Sequence, residues 1–106
     1  MRLRRLMTSN VGVIRDGDGL AAAVRDFAAI ETDAATSPLR NMATTALLVA
    51  TAAWARRESR GAHDRSDYPA ERPALAQRTR TTLTTARAIA ASLADGARVA
   101  KTPLIA

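Results

Sequence analysis

Apolar residues along this chain recur at steps of three and four rather than alternating, and that period predicts helices. The strongest run places Leu39, Met42, Ala43, Ala46, Leu47, Ala50, Ala53, Trp54 and Arg57 on one face. It predicts a helix over residues 38–59, with Ser37 as N-cap and Pro38 as its first residue. Its small side chains let neighbouring helices come close. Arg56, Arg57 and Arg60 in or beside its last turn suit the negative end of the helix dipole, and Gly61 stands where a left-handed cap is expected.

Weaker stripes flank it. Leu20, Val24, Phe27 and Ile30 or Glu31 predict a helix over 20–33, entered from the turn Asp16-Gly17-Asp18-Gly19 with Asp18 as N-cap. Leu3, Leu6, Met7 and Asn10, followed by Val13 and Ile14, predict a helix from 3 to about 14 whose far end Gly12 weakens. Ile89 and Leu93 face inward on a last helix, capped by Thr84 or Thr85 and ended by Asp95-Gly96. Between these lies a polar loop from Ala62 to Pro73, where Pro69 and Pro73 leave little room for a strand. Gln77 to Leu83 alternates Thr with Arg and reads as a short extended segment. The fold class is all-α: a three-helix, spectrin-repeat-like bundle with an additional short C-terminal helix and a polar loop. Residues 1–96 form the bundle, and 97–106 a flexible tail.

Composition narrows the picture. The chain has 106 residues, the size of one domain, and aromatics make up only 3%. A core must therefore come from Ala, Leu, Val, Ile and Met, which suits close-packed helices. Cysteine is absent, which removes disulfides, thiolate metal sites and thiol nucleophiles and fits a reducing, cytoplasmic setting. The longest apolar run, about 42–55, is short of the ~20 residues a membrane span needs. The basic start MRLRRLM is followed by TSN where a signal peptide needs an apolar stretch. The formal net charge is +6, and nearly all of the positive charge is Arg.

That charge raises nucleic acid as a partner, through Arg2, Arg4 and Arg5 or through Arg78, Arg80 and Arg87. The interspersed Asp64, Asp67 and Glu71, and the lack of a stacking aromatic stripe, weigh against it. The expectation is no nucleic acid and no membrane. His63 is the only histidine, without a second His or a Cys to complete a metal site, and a hydrogen-bonding role suits it best. No Gly-X-Ser-X-Gly elbow and no glycine-rich strand-to-helix turn is present. Asp16-Gly17-Asp18-Gly19 lacks the later ligands of a calcium loop.

The run Arg57-Glu58-Ser59-Arg60-Gly61-Ala62-His63-Asp64-Arg65-Ser66-Asp67-Tyr68-Pro69 is the most specific stretch. It resembles the signature in the C-terminal helical domain of L-aspartate oxidases, which succinate dehydrogenase and fumarate reductase flavoproteins share. LRRLMTSNVGVIRDGDGL is similar to the opening helix of that family, and LRNMATTALLVATAAWARRESRG to its long helix. The stretch after Pro69 lacks the acidic pair, Trp and Lys-His stretch of the respiratory flavoproteins, so the resemblance favours L-aspartate oxidase. It implies a bundle appended to flavin-binding and capping domains of one polypeptide that oxidises L-aspartate to iminoaspartate. FAD and the catalytic residues would belong to those other domains. No catalytic, cofactor-binding or metal-binding residue is expected here, and these residues alone would bind no FAD.

One role is expected of the signature. Arg60, His63, Arg65 and Asp67 would form a hydrogen-bonded seam against the flavin-binding domain. The alternative is that the same four only satisfy one another and cap helix 38–59. Separated from its neighbour, the domain would also tend to self-associate. A succinate dehydrogenase or fumarate reductase flavoprotein domain stays open, as does a stand-alone basic helical module.

Overall fold

The computed structural model describes residues 2–100, with residues 96–100 as backbone only. Among the described residues four helices make the fold: α1 (Arg2–Asn10), α2 (Gly17–Asp33), α3 (Ser37–Ala55) and α4 (Leu83–Ala100). A two-residue strand β1 (Ile14–Arg15) pairs in parallel with β2 (Asp64–Arg65), and a 3₁₀ turn covers Pro73–Leu75. The all-α reading stands, with the long helices α2, α3 and α4 as the bundle and α1 packed on α2 and α3.

The core lies where the apolar stripes meet. Leu20, Ala23, Val24 and Phe27 of α2 face Ala43, Ala46, Leu47, Ala50 and Ala53 of α3, all buried. Ala86 and Ala90 close the bundle from α4, and Leu3 and Val11 from the α1 side. Phe27 is the only aromatic in the buried core, and complete burial of such a side chain contributes roughly 1.5–3 kcal/mol. On α4 the expected inward pair is displaced to the edge. Ile89 and Leu93 are half-buried while the alanines take the interior, because only small residues fit where α4 meets the pair α2 and α3 closely.

Several element ends differ from the expected ones, each for a local reason. α1 stops at Asn10 rather than near Ile14. The Asn10 amide donates to the Gly19 carbonyl at 3.1 Å and the Arg15 Nε to the Gly12 carbonyl at 3.0 Å. These bonds hold a reversal instead of another helical turn. Asp16, not Asp18, caps α2, its Oδ1 accepting from the Gly19 N–H at 2.7 Å. Thr36, not Ser37, caps α3 by accepting from the Leu39 N–H. α3 ends at Ala55, before the predicted Ser59. The Thr82 hydroxyl, not Thr84 or Thr85, caps α4, accepting from the Thr85 N–H at 3.2 Å.

α4 is not short. It runs 18 residues, continuing through Asp95-Gly96 to Ala100. The predicted tail thus shares its first residues with the helix, and 101–106 lie outside the described residues. The segment expected to be extended, 77–83, carries no strand, whereas the proline-flanked loop does contain one, β2. No helix among the described residues is long and apolar enough to cross a membrane.

Candidate functional site

The polar run after α3 folds into a compact turn lying across the C-terminal end of that helix. Arg60 and His63 bond each other through both backbone groups, at 2.7 and 2.9 Å. Gly61 sits in this tight turn at φ +58°, a left-handed conformation that favours glycine. It is a hairpin residue, not the helix cap that its position suggested.

Arg65 is the centre of the turn and is only 2% exposed. Its Nη1 donates to the carbonyls of Ala53, Trp54 and Arg56, at 3.1, 2.7 and 3.3 Å. These belong to the helix end, where carbonyls lack intrahelical partners. On its other edge the guanidinium meets Asp67 in a two-point pair, Nε to Oδ1 at 2.9 Å and Nη2 to Oδ2 at 2.8 Å. Its face lies over the Tyr68 ring at 5.1 Å. A buried charge is tolerated when it is fully paired, and this one is.

Asp67 extends the connection to α2. Its Oδ2 accepts from the Gly17 N–H at 2.9 Å, at the first residue of that helix. A Cβ on Gly17 would stand 2.7 Å from that oxygen and 2.9 Å from Arg65 Nη2, so a larger residue here would have to push the pair aside. The pair therefore sets a cation on the negative end of α3 and an anion on the positive end of α2. Together, Arg65 and Gly17's backbone hold the Asp67 carboxyl down to about 2 from its ordinary 3.8.

A second cluster surrounds Glu58, whose side chain is completely buried. It accepts from Arg56, from Arg60 Nε and Nη2, and from the Arg72 N–H at 2.9 Å. Arg60 first, and then the Arg72 backbone and Arg56, lower its carboxyl to about 2 from 4.5. Arg56 also donates to the carbonyls of Leu75 and Gln77, both at 2.8 Å, which fastens the next loop to the turn. Arg60 reaches Glu71 at 3.7 Å on the outside.

His63 stands between two segments. Its Nε2 donates to the Arg56 carbonyl at 3.0 Å, and its Nδ1 accepts from Arg15 Nη1 at 3.0 Å. That geometry places the ring proton on Nε2. Ser59 is a further hub. Its hydroxyl accepts from the Arg65 N–H at 2.9 Å and donates most closely to the Tyr68 carbonyl, at 2.8 Å. Across the sheet, the Ser66 N–H donates to the Arg15 carbonyl at 2.7 Å.

The structure thus brings all four predicted residues into one turn. Arg65 and Asp67 pair with each other, whereas Arg60 goes to Glu58 and His63 to Arg15. Sequence reasoning missed Glu58, Ser59, Arg15 and Gly17. Glu58 had a local signal, a lone carboxylate among Arg56, Arg57 and Arg60. Arg15 and Gly17 had none, lying about fifty residues away. Among the described residues no three His, Cys, Asp or Glu side chains could hold a metal ion. In the turn the titratable groups are engaged with one another, an arrangement that fixes shape and charge.

The chain matches the family described as "Fumarate reductase flavoprotein C-term" over residues 33–103. Among curated relatives, it is 53% identical over 77 residues to the L-aspartate oxidase of Rhodospirillum rubrum, covering 73% of this chain and 28% of that protein. It is 42% identical over 71 residues to the L-aspartate oxidase of Caulobacter vibrioides, covering 67% of this chain and 13% of that one. The L-aspartate oxidase of Agrobacterium fabrum is 37% identical over 81 residues, 76% of this chain and 15% of the relative. The chain therefore spans only between 13% and 28% of the length of these relatives. With its helical bundle and the turn locked across α3, the chain belongs to the C-terminal domain family of the fumarate reductase flavoproteins.

Proposed function

We propose that this chain is the C-terminal helical domain of an FAD-dependent L-aspartate oxidase, and that it supports the flavin-binding part of the same polypeptide rather than carrying out chemistry itself. The observation that carries this reading is the 53% identity over 77 residues to an L-aspartate oxidase, with two more relatives of the same name behind it. The reaction would be the two-electron oxidation of L-aspartate to iminoaspartate, with fumarate or oxygen reoxidising the flavin. The setting would be the cytoplasm.

The starts of α2, α3 and α4 do not offer the cradle that the pyrophosphate of FAD uses. Such a group rests on a glycine-rich turn at a free helix N-terminus. Here the start of α2 is filled by the carboxylates of Asp16 and Asp67, and those of α3 and α4 by the hydroxyls of Thr36 and Thr82. FAD would be held elsewhere in the parent chain.

The turn with Arg60, His63, Arg65 and Asp67 would lie at the seam to that part. Arg60 and Asp67 are about one-third exposed and could be touched directly; Arg65 acts by holding the shape. In the parent polypeptide, turnover should be seen with L-aspartate and not with succinate. Succinate oxidation without L-aspartate oxidation would replace this reading with a respiratory flavoprotein. Arg60→Ala should lower FAD occupancy more than it lowers the stability of the bundle. Unchanged occupancy would return all four residues to a purely internal role.

A further inference from the structure

The two most exposed large apolar residues among those described are neighbours, Val13 at 82% and Ile14 at 67%. They lie next to the signature turn, because Ile14–Arg15 is the strand that pairs with Asp64–Arg65. Arg15 turns its peptide groups toward β2, its carbonyl accepting from the Ser66 N–H at 2.7 Å. Along a strand the backbone groups alternate between the two edges, so the N–H and C=O of Ile14 point the other way, off the sheet. No backbone or side-chain partner for them occurs among the described residues. The result is a strand edge that presents both open hydrogen-bonding groups and uncovered apolar side chains, the combination that invites another strand.

We infer that this edge, Val13-Ile14, is where an extended segment of the flavin-binding part of the same polypeptide adds a third strand beside β1. This deepens the seam proposed above, and rests on that reading only for the identity of the partner. Two observations select that occupant over others. The family is by description the C-terminal part of a flavoprotein, and the reading above supplies a companion part of the same polypeptide. The edge is also continuous with the signature turn: Arg15 bonds His63 and Ser66 at once. By contrast, Arg65, Glu58 and most of the polar turn have used their donors and acceptors internally. The exposed apolar edge beside the turn is therefore the part with binding capacity left. Main-chain bonds at Ile14 would give the contact its register, and the Val13 and Ile14 side chains its apolar area.

Hydrogen–deuterium exchange on the parent polypeptide tests this at a single amide. The Ile14 N–H has no partner within these residues, so protection by roughly tenfold or more over an unprotected amide must come from outside them. Ile14→Asp is expected to abolish that protection, expose one extended segment of the flavin-binding part to exchange, and accelerate FAD release severalfold. Ile14→Val should preserve all three. Because Ile14 is exposed in the bundle, the Asp variant should leave the protection of α2 and α3 intact, which separates lost docking from lost folding. An unprotected Ile14 amide in the parent would overturn the inference. Protection that appears only as protein concentration rises, together with dimers in sedimentation, would overturn it in favour of a second copy at the edge. Failure of L-aspartate turnover would remove the proposed substrate and leave the exchange result standing.

Discussion

Arg65 joins two helices, because it is bonded to the end of one and, through Asp67, to the start of another. Arg65→Ala would leave the Ala53 and Trp54 carbonyls unpaired and Asp67, itself about one-third exposed, with the Gly17 N–H, at an expected loss of about 1–3 kcal/mol in urea unfolding. Arg65→Lys should recover little, since an ammonium cannot meet Asp67 at two points while reaching the helix end. Gly17→Ala tests the same contact from the far side. Its Cβ would fall 2.7 Å from Asp67 Oδ2, and a loss of roughly 1–3 kcal/mol is expected from the forced shift. The carboxylates also set an acid limit. Glu58 and Asp67 are both depressed to about 2 in the folded chain, from ordinary values of 4.5 and 3.8. The unfolded chain thus binds more protons between those values, so stability rises with pH there. The contribution is complete above about pH 4.5 and is lost as pH falls toward about 2. An acid titration monitored by circular dichroism should show this loss, and Glu58→Gln should flatten the part due to Glu58.

At the scale of elements, the helices were readable because each buries one face, and burial leaves a period in the sequence. Leu20, Val24, Phe27 and Glu31 on α2, and Ala43 through Ala53 on α3, fall where the stripes placed them. The ends were less readable: the caps Asp16, Thr36 and Thr82 stand one to three positions before the expected ones, and the exits of α1 and α3 are held by groups beyond the helix. α3 stops at Ala55 where Arg65 takes its last carbonyls, and α1 stops at Asn10 where Arg15 and Asn10 bond the reversal. The candidate site was legible as a segment but not as a network. Arg60, His63, Arg65 and Asp67 were visible as a charged run, yet their partners Glu58, Arg15 and Gly17 are brought to them only by folding. Phe27→Ala checks the packing directly: with no other aromatic in the buried core, about 3–5 kcal/mol should be lost. Thr36→Ala should remove about 1 kcal/mol from the entry to α3.

For the molecule as a whole, the bundle and the turn divide the work. Alanine-rich faces of α2, α3 and α4 supply a compact body with few large side chains. The turn ties the start of α2 to the end of α3, opposite the short connection at residues 34–36, so the helix pair is fastened at both ends. A family member attached to a flavin-binding part needs such rigidity if the seam is to keep a fixed outline. Under the proposed function, loosening the turn in the parent polypeptide should be felt as weaker FAD retention, measured after gel filtration.

The pairing of Ile14–Arg15 with Asp64–Arg65 also has a consequence in time. Two segments separated by both α2 and α3 can meet only after those helices have come together, since closing so long a loop is unfavourable until they do. The lock over the helix end should be among the last parts assembled during folding and among the first released. Substitutions at Arg65 or Gly17 should then quicken unfolding in stopped-flow experiments while refolding rates hardly change, whereas Phe27→Ala should slow refolding.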